Sequence, residues 1–212
     1  MNRPLTISIV VGVFLLLFLV ESAVSLRHPK ARLLTRVLVN LSISALAFAA
    51  AAVFVQPVIA RLLQWTAQSP FGLLPLAGLS GGLEFILGFL LLDLSFYYWH
   101  VANHRIPFLW RFHNVHHIDP DLDVSTGFRF HFGEVALSSI FRIVQIGVIG
   151  PSLATFLVYE LFFHVNTLFH HSNLRLPVGF ERLLNKLFVT PRMHGIHHSQ
   201  VRAETNSDFG VV

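Results

Sequence analysis

The sequence predicts an all-α, multi-pass membrane protein, and three observations support this fold class. The chain has 212 residues, of which 54% are hydrophobic and 12% are charged, whereas about a quarter of the residues of a soluble domain are charged. Several apolar segments are long enough to cross a bilayer as helices. Twelve of the 13 histidines fall between residues 100 and 198, next to or between these segments.

The composition also excludes several kinds of site and partner. The chain contains no cysteine, so disulfides, thiolate metal sites and iron–sulfur clusters are excluded. The formal net charge is only +4, and the basic residues are spread among apolar segments. We therefore expect no nucleic-acid partner, and we interpret the basic residues as loops beside a membrane.

Residues 1–82 are predicted to form an N-terminal transmembrane region. The first span covers about residues 5–26, and its length favours a retained anchor over a signal peptide. The second span covers about residues 37–60. Residues 61–82 contain several glycines and prolines, among them Pro70, which predict a broken connection at the membrane surface or a re-entrant segment.

Residues 83–212 are predicted to form the second region. Its first span, about residues 83–100, leads directly into a histidine pair. Residues 135–169 are mostly apolar and are interrupted by Gly150 and Pro151, which predicts a hairpin of two helices. Because the hairpin starts and finishes on one side of the membrane, the histidine-rich segments before and after it are expected to meet there.

The loop between the first two spans predicts the orientation of the chain. It is the most basic short loop, and such loops usually face the cytoplasm. The third span then ends on the cytoplasmic side, where the hairpin also begins and ends. We therefore predict a histidine-lined site on the cytoplasmic side. The basic residues of this loop are Arg27, Lys30, Arg32 and Arg36.

Three histidine clusters have the spacing of a single helix face. One is an HxxxH pair and two are HxxHH triplets, and residues three or four positions apart are neighbours on a helix surface. Eight imidazoles exceed the four ligands of one tetrahedral zinc ion and suit a di-metal site. Spacing alone leaves iron, zinc, copper and nickel open. The eight residues are His100, His104, His113, His116, His117, His194, His197 and His198.

These clusters and their surroundings resemble the fatty acid hydroxylase / sterol desaturase superfamily. The resemblance covers about residues 84–212. Members of this superfamily usually continue into a tryptophan-containing stretch after the segment that reads DFGVV here, so we expect a C-terminally short form. The stretches that carry the resemblance are DLSFYYWH at 93–100, LWRFHNVHH at 109–117, TGFRFHFGE at 126–134, FHHSNLRLP at 169–177 and VTPRMHGIHHS at 189–199.

The resemblance implies an integral membrane di-iron oxygenase that uses O2 and external electrons to hydroxylate an unactivated C–H bond of a fatty acyl or sterol-like lipid. Its cofactor would be two iron ions, with zinc as a substitute, and its electron donor a cytochrome or a ferredoxin with its reductase. A desaturase with the same centre is the alternative within this class. Outside it, the alternatives are a metal transporter and a non-catalytic metal-binding membrane protein.

The resemblance also assigns candidate site residues. The eight clustered histidines match the superfamily's histidine boxes, and His171 matches its histidine before Ser-Asn. His170 and His131 are further candidate metal ligands. Asp93 precedes the first box by two helical turns, and Asn173 belongs to the Ser-Asn segment. We predict Asp93 and Asn173 as catalytic residues that support the metal ligands by hydrogen bonding.

Overall fold

A computed structural model of the chain describes residues 3–68 and 71–211. Pro70, which belongs to the predicted connection between the second and third spans, and Val212, the last residue of the predicted second region, lie outside the described residues. The described part of the chain is helical and contains no β-strand. The predicted all-α class is therefore confirmed.

The helices follow one another with short connections. Prolines occupy the first turns of α6 and α10, where a missing backbone N–H costs no hydrogen bond. In chain order the elements are α1 (Arg3–Ala23), α2 (Leu33–Ala50), a π turn (Ala51–Val55), α3 (Gln56–Gln68), α4 (Leu73–Leu76), α5 (Gly81–Arg105), α6 (Pro107–His117), a 3-10 turn (Val124–Phe128), α7 (Phe132–Ile149), α8 (Leu153–His171), α9 (Val178–Leu184), α10 (Pro191–His197) and α11 (Arg202–Thr205).

Four helical segments are long and apolar enough to cross a membrane. They are Pro4–Ala23, Leu33–Thr66, Gly81–Arg105 and Phe132–Ile149. Many of their large apolar side chains are exposed on the outside of the bundle, which suits a surface covered by lipid rather than water. Helix α8 follows the fourth segment as the second arm of the hairpin.

The second apolar helix is longer than the sequence predicts. Helix α2, the π turn and α3 follow one another without a break, so residues 61–68 are helical rather than part of a broken connection. Pro57 lacks the N–H that would continue the helical ladder, and the wider π turn lies directly before it. The buried side chains of Ile59 and Leu63 attach α3 to the apolar core.

The hairpin of α7 and α8 turns at Gly150. This residue has a left-handed backbone conformation with φ of 67°, which ends α7 and brings its backbone against the carbonyl of Phe71. A side chain at this position would overlap that carbonyl, so both the backbone angle and the close contact require glycine. Ser152 then begins α8 by accepting a hydrogen bond from the Thr155 amide.

The apolar core lies toward the end of the bundle that contains this turn. Helices α3, α4, α5, α7 and α8 contribute to it, and three of its side chains, Leu92, Ile146 and Tyr159, are fully buried. Burial of this apolar surface holds the long helices together where they lie farthest from the histidine-rich segments. The buried members are Ile59, Leu63, Leu74, Leu92, Ile146, Ile149, Phe156 and Tyr159.

The opposite end of the bundle is held by a polar network centred on Asn40 of α2. The Asn40 side chain is fully buried. Its amide nitrogen donates to Asp119 and Ser125, at 2.9 Å each, and its oxygen accepts from Arg129 at 2.8 Å. Both the nitrogen and the oxygen of the Asn40 side chain therefore have hydrogen-bond partners. The segment between α6 and α7 is thereby fixed against α2.

The loop between α1 and α2 closes the same end. The backbone amides of Lys30 and Ala31 donate to the two carboxylate oxygens of Asp121, at 2.7 Å each. Glu21, buried at the end of α1, accepts from the backbone amides of Val124 and Asn173. The basic loop therefore lies at the same end of the bundle as α6 and the end of α8.

Replacing Asn40 by alanine should destabilise the fold. The buried Arg129 guanidinium and the half-buried Asp119 carboxylate would each lose a partner, which we expect to lower the free energy of unfolding by about 1–3 kcal/mol. Thermal unfolding of the detergent-purified protein, followed by circular dichroism, measures this change. Ser42→Ala, an exposed position on the same helix, is the matched control, and equal unfolding midpoints for the two variants would contradict the role assigned to Asn40.

Candidate metal centre

Nine histidines from α5, α6, α8 and the α10 segment meet at the end of the bundle that the Asn40 network stabilises. They form two adjacent groups, and within each group one ring nitrogen per histidine lies within 4.8 Å of the others. The first histidine group consists of His100, His104, His113, His117 and His197. The second histidine group consists of His116, His171, His194 and His198.

The helical spacing divides each HxxHH triplet between the two groups. On α6, His113 and His117 are four residues apart and join the first group, while His116 joins the second. At α10 the assignment is reversed, because His194 and His198 join the second group and His197 joins the first. Each triplet therefore contributes histidines to both groups, and the two groups lie side by side. The rings of His117 and His198 stack with centroids 4.3 Å apart.

The distances between imidazole nitrogens match those of ligands around one ion. In the first group, the Nε2 atom of His113 lies 3.2 Å from that of His100 and 3.1 Å from that of His117. In the second, the Nε2 atom of His171 lies 2.9 Å from those of His116 and His194. Two nitrogens bound about 2.1 Å from one ion, near a right angle, are themselves about 3 Å apart.

Backbone carbonyls determine which nitrogen of several rings is protonated. The Nδ1 atoms of His100, His171 and His197 lie 2.9, 2.7 and 2.6 Å from the carbonyl oxygens of Phe209, Thr167 and Ser207, respectively. A carbonyl can only accept a hydrogen bond, so each Nδ1 carries the proton and each Nε2 presents a lone pair.

These tautomers leave lone pairs facing one another. The Nε2 atoms of His100 and His197 are 3.2 Å apart, and neither carries a proton that could bridge them. Two facing lone pairs at this distance repel, whereas a cation between them would be bound by both. The donor set therefore fits a metal ion in the first group, and the Nε2 lone pair of His171 between two further imidazoles fits one in the second.

Glu134 orients the remaining buried ring of the first group. One of its carboxylate oxygens lies 2.7 Å from Nδ1 of His113, and both side chains are buried. A carboxylate that accepts from Nδ1 fixes the ring and increases the donor strength of Nε2. This contact connects α7 to α6 directly at the site.

Burial opposes a positive charge on three imidazoles of the second group. Burial lowers the pKa of His116, His194 and His198 well below the ordinary value of histidine, and the neighbouring imidazoles lower it further. Neutral rings can present lone pairs to a cation, whereas protonated rings would repel both one another and the ion. Within the described residues, the Nδ1 atoms of these three rings have no hydrogen-bond partner.

Two predicted ligands lie outside both groups. His170 packs its ring against His194, with centroids 4.1 Å apart, and lines a cavity beside the second group. His131 instead caps α7, because its Nδ1 atom accepts a hydrogen bond from the Gly133 amide at 3.0 Å. Its ring also packs against Phe112. The roles of His170 and His131 as metal ligands therefore remain predictions without support from this geometry.

Asn173 is connected to the α10 segment through Arg27 and has no described hydrogen bond to a histidine, so its catalytic role remains a prediction. Its side chain donates to the Arg27 carbonyl at 2.8 Å and accepts from the Arg27 amide at 2.9 Å. The Arg27 guanidinium in turn donates to the Pro191 carbonyl at the start of α10. A Cβ atom at Gly195 would overlap this guanidinium, so the glycine within MHGIHH allows Arg27 to approach the segment that carries three of the histidines.

Asp93 occupies a different environment from the one the sequence suggested. It lies beside Tyr159 of α8, and one of its carboxylate oxygens is buried without a hydrogen-bond partner among the described residues. No described hydrogen bond joins it to a histidine. Its supporting role therefore remains a prediction.

The sequence did not indicate that the segment after α11 belongs to the site. The carbonyls of Ser207 and Phe209 bind two histidines of the first group, and the Phe209 ring contacts His100, His104 and His197. Backbone carbonyls leave no signal in a sequence, and a phenylalanine near a chain end reads as an ordinary apolar residue.

A cavity of about 240 Å³ extends from the histidines into the bundle. The walls come from α2, the π turn, α3, α5, α7 and α8. Phe96, Trp99 and Phe163 contribute aromatic surface to it, and His100 and His116 open into it from the two groups. The site can therefore receive an elongated apolar molecule from within the bundle.

Replacing Glu134 by alanine should weaken metal binding. Loss of the carboxylate that orients His113 should reduce metal affinity by about 10- to 100-fold, measured as iron retained against a graded series of chelator concentrations. Glu134→Gln keeps a hydrogen-bond acceptor and should retain more iron than the alanine variant. Identical chelator titrations for wild type and Glu134→Ala would contradict this assignment.

Comparison with known proteins identifies the family. Residues 85–212 match the family described as fatty acid hydroxylase. The ornithine lipid hydroxylase OlsE of Rhizobium tropici is 32% identical over 127 residues, which cover 60% of this chain and 38% of that protein. The alkylglycerol monooxygenases of Caenorhabditis elegans and Homo sapiens are 31% and 30% identical, over 57% and 54% of this chain and 23% and 24% of theirs.

The chain thus spans less than half the length of these curated relatives. No solved structure matches it. The family match includes all nine histidines of the two groups, as well as Glu134 and the segment at 207–211 that closes the first group. With the match covering more than half of its residues, the chain belongs to the fatty acid hydroxylase family.

Proposed function

We propose that this protein hydroxylates an unactivated C–H bond of a membrane lipid, with O2 as the oxidant and electrons from an external donor. One observation carries the proposal: two histidine groups lie side by side at one end of a cavity among apolar, membrane-spanning helices. The names of the similar proteins, a lipid hydroxylase and alkylglycerol monooxygenases, support the same class of substrate.

Each histidine group would hold one iron ion, giving two ions per chain. Bound iron would supply the activation of O2 that allows an unactivated C–H bond to be oxidised. All of the clustered ligands are imidazoles, so the protein adds no negative charge in direct contact with the ions. Zinc also accepts such ligands and would occupy the site without redox chemistry.

The chain's own residues position both the ligands and the substrate. The carbonyls of Thr167, Ser207 and Phe209 hold the protons on Nδ1 and keep Nε2 free. The aromatic walls of the cavity, including Phe96 and Phe163, would hold a lipid chain and exclude water from the reacting carbon. A lipid bound in this way would have one of its carbons next to the histidines, and the bound ions would supply the oxidation chemistry.

The arrangement favours an oxygenase over a metal transporter. Transport would place metal-binding residues along the length of the spans, whereas the histidines of both groups gather at one end of the bundle. A desaturase would use the same centre and cavity, and the oxidised product distinguishes the two reactions. Electrons would come from a cytochrome or a ferredoxin with its reductase.

We also propose that the histidine groups face the cytoplasm. The basic loop between α1 and α2 contacts the segments around the site through Lys30 and Arg27, so the two share one end of the bundle. Short basic loops usually remain in the cytoplasm, and the histidine groups would lie on that side with the loop.

Removing one ligand from either group should remove iron and activity together. His197→Ala opens the first group and His194→Ala the second, whereas His28→Ala changes an exposed histidine in the loop between α1 and α2 and is the matched control. We expect about two irons per chain in wild type and the control, by iron analysis and Mössbauer spectroscopy of iron-57-grown protein, with a marked loss in the other two variants.

Lipid extracts incubated with O2 and a reductase system should gain one oxygen atom per product molecule with wild type and His28→Ala only. A new double bond instead of a hydroxyl would favour desaturation. Folded wild-type protein without iron, or full iron in His197→Ala, would contradict the proposed centre.

Cysteine labelling tests the sidedness, since the chain contains no cysteine of its own. Gln200 and Ser80 are exposed at opposite ends of the bundle. A membrane-impermeant maleimide applied to intact cells should label Ser80→Cys and spare Gln200→Cys until the cells are lysed. The reverse labelling pattern would show that the histidine groups face away from the cytoplasm.

A further inference from the structure

The cavity beside the histidine groups contains a charged pair that the proposed chemistry does not use. Arg142 of α7 and Glu160 of α8 pair at 2.8 Å, and both line the cavity. By helical rise, Arg142 lies about 12 Å along α7 from Glu134, and Glu160 lies about 16 Å along α8 from His171. Ionisable side chains within apolar membrane helices are costly and usually have a function.

Arg142 is already occupied by other groups. Its guanidinium donates to Gln145, pairs with Glu160 and lies over three aromatic rings at 5.5 to 5.7 Å from their centroids. Its side chain is only 11% exposed. Arg142 therefore neutralises Glu160 and fixes its position, and the accessible polar surface of the pair belongs to Glu160.

Glu160 faces a histidine that is also outside the metal groups. Its second carboxylate oxygen lies 4.0 Å from Nε2 of His164, one helical turn later. That separation is too long for a direct hydrogen bond. The side chains are 24% and 45% exposed, respectively, and both line the cavity. A single oxygen atom placed about 2.8 Å from each would bridge them.

The chemistry of the two groups selects a hydroxyl as that bridge. A hydroxyl donates one hydrogen bond to the carboxylate and accepts or donates another at the imidazole. Because Arg142 already neutralises Glu160, a charged group would find no unpaired countercharge here, whereas a neutral hydroxyl needs none. Between this polar end and the histidine groups, the cavity presents the apolar surfaces of Phe96 and Phe163.

We propose that Glu160 and His164 bind a hydroxyl group of the substrate lipid and thereby set which carbon reaches the histidine groups. The substrate class is a long-chain lipid whose hydroxyl is separated from the oxidised carbon by roughly 10 to 16 Å of apolar chain, the helical distance from His164 or Glu160 to His171. The inference rests on the proposed function, because it takes the cavity as the lipid-binding site.

Fluorescence quenching in nanodiscs tests the hydroxyl site without turnover. The probes are ω-bromodecanol and bromodecane, which differ by one hydroxyl group and whose chain length matches the proposed separation of roughly 10 to 16 Å. With the hydroxyl at Glu160, the bromine of the alcohol would lie toward Trp99, which lines the cavity next to His100. The Trp99→Phe variant supplies the background from the other two of the chain's three tryptophans.

In wild type, we expect the alcohol to quench Trp99 at about a tenfold lower mole fraction than the alkane. His164→Phe and the paired variant Arg142→Met/Glu160→Leu should each bring the two probes to nearly equal potency. The paired variant leaves no unpaired buried charge, and His164→Phe leaves the ion pair intact. Ser139→Ala, which removes a cavity hydroxyl bonded to the Val135 carbonyl, is the matched control and should retain the preference.

Equal quenching by both probes in wild type, or a preference that survives in both His164→Phe and the paired variant, would overturn the inference. The proposed function fails separately: a clear alcohol preference in protein that binds no iron and hydroxylates no lipid would leave the hydroxyl site standing and remove the oxygenase. Hydroxylation without any alcohol preference would do the reverse.

Discussion

The facing imidazole nitrogens of the two histidine groups are the interaction on which the rest of the structure depends. Several Nε2 atoms lie 2.9 to 3.2 Å apart, and backbone carbonyls hold the protons of His100, His171 and His197 on the other side of their rings. Buried lone pairs at these distances repel unless a cation lies between them. The neighbouring elements must therefore hold ligands that would otherwise separate.

Different interactions stabilise the two ends of the bundle. The apolar core at the far end holds the long helices together by burial, while hydrogen bonds through Glu21, Asn40, Asn173 and Arg27 fix the near end. The last of these contacts reaches α10, which carries ligands for both groups. Because each HxxHH triplet serves both groups, displacement of α6 or α10 would disturb two sites at once.

Long apolar segments in the sequence predicted the all-α class, and helical spacing predicted eight of the nine histidines that meet, because residues three and four apart share a face. His171, the ninth, was predicted from the family resemblance. Helical spacing did not reveal how the triplets divide, since that depends on how α6 and α10 approach each other. His131 resembles a ligand in sequence but caps a helix. Asp93 shares a helix face with the first box, yet it lies beside Tyr159 of α8, which only tertiary packing determines.

The position of the charged pair in the cavity also depends on tertiary packing and could not be predicted from the sequence. Arg142 and Glu160 lie in the segment 135–169, for which the sequence predicted only an apolar hairpin, although ionisable residues in such a segment usually have a function. Only the packing of α7 against α5, with α8 across the cavity, shows that they face each other and an adjacent histidine. The cavity therefore has the charged pair toward one end and the histidine groups at the other.

X-ray absorption at the iron edge of iron-loaded protein tests the central claim most directly. The structure predicts a first shell of nitrogen and oxygen atoms at about 2.1 Å, dominated by imidazole, with the outer-shell scattering that imidazole rings produce. His197→Ala and His194→Ala should each reduce that imidazole signal. Iron bound without imidazole scattering, or a signal unchanged in both variants, would contradict the assignment of the two histidine groups as the metal centre.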